Sequence, residues 1–298
     1  MNRETAIIKM SDTNIVDEKL KAEYLSRLKK TYVKKGANKC FYDQFDNGSG
    51  NELEEKFWSP ISSSRFAFEM YSWLASDERI VDVEFELKLI GVTSQGVPNM
   101  DVYIELPDEI IFIESKFTEQ YKQSIECDSL PGAYWKELGD KDALTTKGEK
   151  IGTTLLRRYH NDRDALSEFL NFIQFNRDNL AKLREKEKPN CWMEYSQEIK
   201  HLYGIYFYLK KHKELHNKKV SFYNIYYYLE DNVNDAIKAF FDEGNKMMNR
   251  LLSKFDVCFN YLPLTAQEVA KKFPKNIRAF GKEENVRDIL NQQFLLNI

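Results

Sequence analysis

Cysteine is scarce and scattered: Cys40, Cys127, Cys191 and Cys258 form no CxxC pair, which excludes a disulfide framework and a cysteine-based zinc cluster. Glycine (12) and proline (7) are few for 298 residues, and no low-complexity tract or fixed-period repeat occurs, so no flexible linker divides the chain. Excess charge is missing too. The 44 Lys and Arg against 47 Asp and Glu leave -3, which argues against a protein that coats a polyanion by bulk charge and leaves a local basic groove open. No run of eighteen apolar residues is present, and the opening Met1-Asn2-Arg3-Glu4-Thr5 stretch lacks the pattern of a secretory signal. The expectation is a soluble cytoplasmic protein without a membrane partner. There is no Gly-rich phosphate loop and no Ser-His-Asp nucleophile pattern.

What is there is apolar mass, 42% hydrophobic and 14% aromatic, enough for a sizeable core. Ile15, Leu20, Tyr24, Leu25, Leu28 and Tyr32 recur at helical intervals and predict an amphipathic helix from Asp12 to about Lys35. A loop at Asn47-Gly48-Ser49-Gly50 follows, then a helix over Arg65–Ala75 capped by a serine among Ser62–Ser64. The period then drops to two. Val81, Val83, Phe85, Leu87 and Leu89 alternate with charged residues, which predicts a strand with one buried and one polar face. Further strands are expected at Met100–Leu106, Glu109–Phe117, Val220–Leu229 and Val257–Leu262, with helices over much of 118–211 and over Asn232–Lys254. The fold class is α/β: a central mixed sheet, built on a three-stranded antiparallel meander and flanked by helices. One domain spans 1–298, with an N-terminal helical extension (1–60), a core (62–262) holding a helical insertion (119–190), and a C-terminal helical extension (263–298).

The chemistry concentrates in Asn99–Lys116. If the chain reverses at Pro107-Asp108, opposed residues have numbers summing to 215, and Asp101 lies across from Glu114. A four-residue loop from Leu106 to Glu109 keeps that register. Opposed residues share a face with Cβ atoms ~4.5–5.5 Å apart, so two carboxylates are forced together. Val102, Ile104, Ile111 and Ile113 form the other, core-facing side, and Lys116 shares the face of Glu114 by the period-two rule. Paired carboxylates are costly without a cation or a shared proton, and oxygen-only ligation suits Mg²⁺ or Mn²⁺. A nearby ammonium can orient a metal-polarised water.

Asp101, twelve residues, then Glu114-Ser115-Lys116 on an apolar strand resembles the active-site signature of the PD-(D/E)xK, restriction-endonuclease-like, nuclease superfamily. The string Ile113-Glu-Ser-Lys-Phe-Thr-Glu119 is similar to a bacterial branch of restriction endonucleases, and the likeness covers roughly Ser62 to Leu262. It implies a metal-dependent endonuclease of bacterial restriction or defence. Such an enzyme hydrolyses DNA with Mg²⁺ (Mn²⁺ as substitute) and leaves a 5′-phosphate and a 3′-hydroxyl. By the same resemblance Asp101 and Glu114 are metal ligands, and Lys116 positions the attacking water. Glu69, on the helix before the meander, is an extra ligand with Glu84 as its rival. Gln197 and Lys200, in Ser196–Leu202, are contacts beside the site or to phosphate. Cutting both strands of a duplex favours a homodimer.

Blander readings stand beside these. A D-x12-ExK string arises by chance in so acidic a chain, and a Gln and a Lys on a helix are commonly surface residues. His212 and His216 sit in a lysine-rich stretch that reads as a solvated basic face. Together with Lys29-Lys30, Lys34-Lys35 and Lys271-Lys272, that stretch supports nucleic-acid binding only if it converges on the acidic end of the hairpin. The Tyr223–Tyr228 run reads as half core, half surface. Two alternatives remain: a catalytically silent nuclease-like module that binds nucleic acid or a partner protein, and an RNA-directed nuclease.

Overall fold

In the computed structural model, residues 18–48, 52–54, 56–59, 62–90, 97–116, 195–226 and 259–265 are described. They form α1 (Glu18–Leu28), β1 (Thr31–Lys34), β2 (Ala37–Cys40), α2 (Phe41–Asp46), α3 (Ser63–Tyr71), β3 (Asp82–Lys88), β4 (Asn99–Glu105), β5 (Glu109–Lys116), α4 (Tyr195–Lys211), β6 (Lys219–Tyr226) and β7 (Phe259–Thr265). The expected helix over Asn232–Lys254, the 119–190 insertion and the chain beyond Thr265 lie outside the described residues. No helix among the described residues is long and apolar enough to cross a membrane.

Five strands make one mixed sheet in the order β3-β4-β5-β6-β7, and β1-β2 form a separate two-stranded sheet. The β3-β4-β5 meander is antiparallel, whereas β6 and β7 run parallel to β5. The aliphatic side of the hairpin fixes which face goes inward. Val83, Phe85, Val102, Ile104, Ile111, Ile113, Tyr223 and Ile225 share one buried cluster with Tyr24, Phe41, Phe45, Phe57 and Phe68 from the N-terminal elements. Several of these rings meet edge-on, as Phe41 does with Phe68 and Phe85 at 5.4 Å, a geometry that suits the aromatic quadrupole. Ser62 caps α3 by accepting the Arg65 backbone N–H at 3.0 Å, as the serine run implies.

The opposite face packs on α4, where Tyr208 meets Tyr103 and Phe112. Gly204 permits the close approach of that helix. A Cβ there would come within 2.9 Å of the Leu89 side chain and 3.0 Å of Pro98, so a larger residue forces Leu89, Pro98 or the helix to shift. Because helices cover both faces, β6 is buried on both. Phe222, Tyr223, Asn224 and Ile225 are all inside, while the burial of Tyr226, Tyr227 and Tyr228, on which the half-surface reading of the run depends, lies outside the described residues.

The N-terminal segment departs furthest from its periodicity. The helix ends at Leu28, and Thr31–Cys40 is a hairpin turning at Lys35 (φ 52°) and Gly36 (φ 72°), a left-handed pair suited to a two-residue turn. Tertiary partners override the helical spacing. The Tyr32 hydroxyl donates to the Val83 carbonyl at 2.9 Å, and the Gln44 amide oxygen accepts the Phe85 N–H at 2.8 Å. These side chains satisfy the outer edge of β3, which ends the sheet and would otherwise expose unpaired backbone groups.

Candidate active site

The β4–β5 register follows the sum of 215: Val102 faces Ile113, Tyr103 faces Phe112, Ile104 faces Ile111 and Glu105 faces Ile110. One step beyond Val102, the Asp101 side chain takes over from the ladder. Its Oδ2 accepts the Ser115 backbone N–H at 2.6 Å. Asp101 is half-buried and Glu114 is 1% exposed. Lys116 Nζ donates to Glu114 Oε1 at 2.6 Å and to the Gln197 side-chain oxygen on α4, also at 2.6 Å. The other Glu114 oxygen, Oε2, lies 3.3 Å from His201 Nδ1. Asn224 stands beside Glu114 on the parallel neighbour β6.

β3 opens at the same place. Phe85 pairs with Val102 and Leu87 with Met100, but the intervening Glu86, whose register partner is Asp101, drops out of the ladder. Glu86 has φ 51°, a left-handed conformation that costs a non-glycine residue about 1 kcal/mol or more. The expected alternation breaks with it, since Glu86 is buried while Leu87 is only half-buried. Asn99 Nδ2 donates to Glu86 Oε2 at 3.3 Å.

Asp101, Glu114 and Glu86 thus lie close enough to act on one another, and the ionisation of Asp101 and Glu86 reflects it. Burial first, then the charges of Glu114 and Glu86, push Asp101 well above the ordinary carboxylate range despite the opposing Lys116 charge and the Ser115 hydrogen bond. Burial, then Glu52 and Glu114, push Glu86 up to about 8. Burial also lowers His201, outweighing the attraction of Glu114.

No three His, Cys, Asp or Glu side chains among the described residues converge into a ready-made metal cage. A pair of carboxylates is nonetheless the protein contribution that Mg²⁺ usually takes, with waters and phosphate oxygens completing its octahedron. Asp101 and Glu114 fit that donor set, because two enclosed anions held together are relieved by a hard cation.

The remaining predicted residues fall elsewhere. Glu69 is held in a two-pronged ion pair by Arg27, at 2.5 and 3.1 Å, and no described contact joins it to Asp101 or Glu114. Glu84 pairs with Lys39, which also holds Asp82 at 2.7 Å. Lys200 lies one turn beyond Gln197, half-buried, and its charge reaches His201. His212 pairs with Glu214 at 2.9 Å and His216 meets the Leu209 carbonyl at 2.8 Å, so the two are engaged separately. Within the described basic stretches, Lys35 and Lys218 meet at Glu105, four residues from Asp101 and roughly 13 Å along the strand, not at the acidic end.

Glu86 and His201 were not legible as site residues from motif spacing. For His201 a signal exists, since it follows Gln197 by four residues and so shares its helix face. For Glu86 the decisive feature is a backbone angle.

Residues 74–277 match the family model described as Restriction Endonuclease associating with ARP. The match spans all five strands of the main sheet together with Glu86, Asp101, Glu114, Lys116, Gln197 and His201, and leaves Glu69 outside. No curated protein and no solved structure matches the chain.

Proposed function

The chain belongs to the family Restriction Endonuclease associating with ARP, and from that membership we propose a Mg²⁺-dependent endonuclease of the PD-(D/E)xK type that hydrolyses DNA phosphodiester bonds. The observation that carries the reading is the register of the β4–β5 hairpin. It sets Asp101 against Glu114 where the ladder opens, with Lys116 alongside. Asp101 and Glu114 would hold the cation, which when bound polarises water and the phosphate. Lys116, steadied by Gln197, presents its ammonium to orient the attacking water and to meet charge developing on the phosphate oxygens. Asp101 is kept in place by the Ser115 N–H, and Glu114 by Lys116. Water adds to phosphorus, the P–O3′ bond breaks, and the departing 3′ oxygen takes up a proton.

The family description couples the endonuclease to ARP, and association with such a partner is part of the proposal. Cutting both strands calls for two sites, which a homodimer supplies; light scattering of the purified chain tests that.

The decisive assay is cleavage of genomic DNA with Mg²⁺. EDTA abolishes it, and Asp101→Ala and Lys116→Ala keep the fold while losing activity. Full activity in both variants overturns the assignment. Matched RNA in the same assay separates DNA from RNA as substrate. One observation favours a silent binding module: both Glu114 oxygens already face protein partners. A melting temperature that neither Mg²⁺ nor Mn²⁺ raises would support that reading instead.

A further inference from the structure

We propose that His201 is itself a ligand of the divalent cation, adding a nitrogen beside Glu114 and setting a preference for a first-row transition ion such as Mn²⁺ over Mg²⁺; this rests on the cation-binding reading above. His201 is 2% exposed on α4, one turn after Gln197, and Glu114 is 1% exposed on β5. The ring packs edge-on to Phe222 of β6, with centroids 6.3 Å apart, and gives a hydrogen bond to the backbone of Asn99. That bond falls to Nε2, because Nδ1 is buried and has no hydrogen-bond partner among the described residues. Glu114 Oε2 is buried and has none in the same sense, Lys116 being on Oε1. The two atoms nevertheless stand 3.3 Å apart.

Two enclosed lone-pair donors this close repel unless something positive lies against both. Distance and alignment choose among the species that fit. A direct N–H···O bond needs its hydrogen aimed at the oxygen, and the pair is not aligned for one. A water donating to both at ~2.8 Å, with its hydrogens about 105° apart, holds its acceptors roughly 4.4 Å apart. Two donors ~2.1–2.3 Å from one metal ion and at roughly a right angle lie about 3.0–3.3 Å apart, which is the spacing found. Cation and ammonium then share one carboxylate without competing for an oxygen, the first on Oε2 and the second on Oε1. The remaining positions fall to Asp101 in the reading above, to water and to substrate oxygens. Mg²⁺ favours oxygen ligands, whereas first-row transition ions accept imidazole nitrogen as well. Mn²⁺ binds such mixed sites most weakly of that series, so a preference for it over Mg²⁺ is a stringent sign of the nitrogen.

The test is thermal melting of the full chain during Mn²⁺ and Mg²⁺ titration, with pulsed electron paramagnetic resonance of the Mn²⁺-loaded protein, on wild type, His201→Leu and His201→Asn. A ligated imidazole imposes a nitrogen hyperfine coupling on Mn²⁺, which a histidine with a structural role alone does not. Wild type is expected to show that coupling and a Mn²⁺ midpoint at least about tenfold below its Mg²⁺ midpoint. His201→Leu loses the coupling and brings the two midpoints within about threefold. If the leucine variant does not fold, His201→Asn, which offers an amide oxygen in place of the ring, takes its place and also lacks the coupling. A wild-type chain that binds Mn²⁺ without the coupling overturns the inference alone. So does a coupling, or an undiminished Mn²⁺ preference, that survives in the folded variant. A wild-type chain whose melting responds to neither cation overturns the cation reading and this inference together.

Discussion

At the turn end of the β4–β5 hairpin, Glu105 receives Lys218 at 2.6 Å, Lys35, and the Tyr103 hydroxyl at 2.8 Å, whereas at the open end Asp101 and Glu114 share Lys116, with Glu86 near both carboxylates. Both ends are enclosed and built from the same residue types. Burial would raise Glu105 as it raises Asp101, but hydrogen bonds from Lys218, Lys35 and Tyr103 outweigh it and hold Glu105 below its usual value. At the open end burial and like charge act together, and Asp101 and Glu86 rise. One carboxylate with two cations is a tie between elements. Two carboxylates beside one cation, with Glu86 close by, leave a charge excess that the metal-binding role proposed for Asp101 and Glu114 would relieve.

The largest effect that sharpens this contrast is on cleavage. Asp101→Asn keeps an oxygen for the Ser115 N–H and removes the charge, and is expected to lose at least about 100-fold in rate, ~2.7 kcal/mol of the barrier. Glu105→Gln leaves the rate per folded molecule unchanged. Comparable losses in both variants would break the distinction.

Stability should show the reverse ranking. Glu105→Gln strands Lys35 and Lys218 beside a neutral group and is expected to cost about 3 kcal/mol in urea unfolding. Without divalent cation, Asp101→Asn costs less than ~1 kcal/mol or stabilises, because the removed charge had only a partial partner.

The two ends also give stability opposite slopes with pH. Glu86 is raised from 4.5 to about 8, so the stability its protonated form contributes is full below about 4.5 and is lost as pH rises through 8. Glu86→Gln should flatten that alkaline limb in cation-free buffer. Glu105 is depressed, so its contribution is present above 4.5 and lost on acidification, and Glu105→Gln should flatten the acid limb. Melting curves from pH 4 to pH 9 separate the two.

The smallest effect concerns Glu84, the rival ligand suggested by sequence. It shares Lys39 with Asp82 and makes no described contact with Asp101 or Glu114, and Glu84→Gln should leave cleavage within about twofold of wild type.

The open end was largely readable because its geometry follows from parity. Val102, Ile104, Ile111 and Ile113 allow one inward face, Pro107-Asp108 places the turn, and together they set the register that brings Asp101 to Glu114. The turn end was not readable, since Lys35 reaches Glu105 from a hairpin whose spacing imitates a helix and whose stability comes from contacts with β3. Glu86 was hidden for another reason. Period-two alternation puts it with the solvated residues of β3, and only a left-handed backbone angle turns it inward. The basic stretches show that charge counted along a chain says little about where it meets the fold: two of them converge on Glu105, away from the acidic end.

The most direct measurement is anomalous diffraction from crystals soaked in Mn²⁺. A cation bound at the open end gives a peak about 2.1–2.2 Å from an oxygen of Asp101 and an oxygen of Glu114, with nothing at Glu105. A well-ordered site that stays empty at saturating Mn²⁺, or a peak at Glu105, would contradict the account.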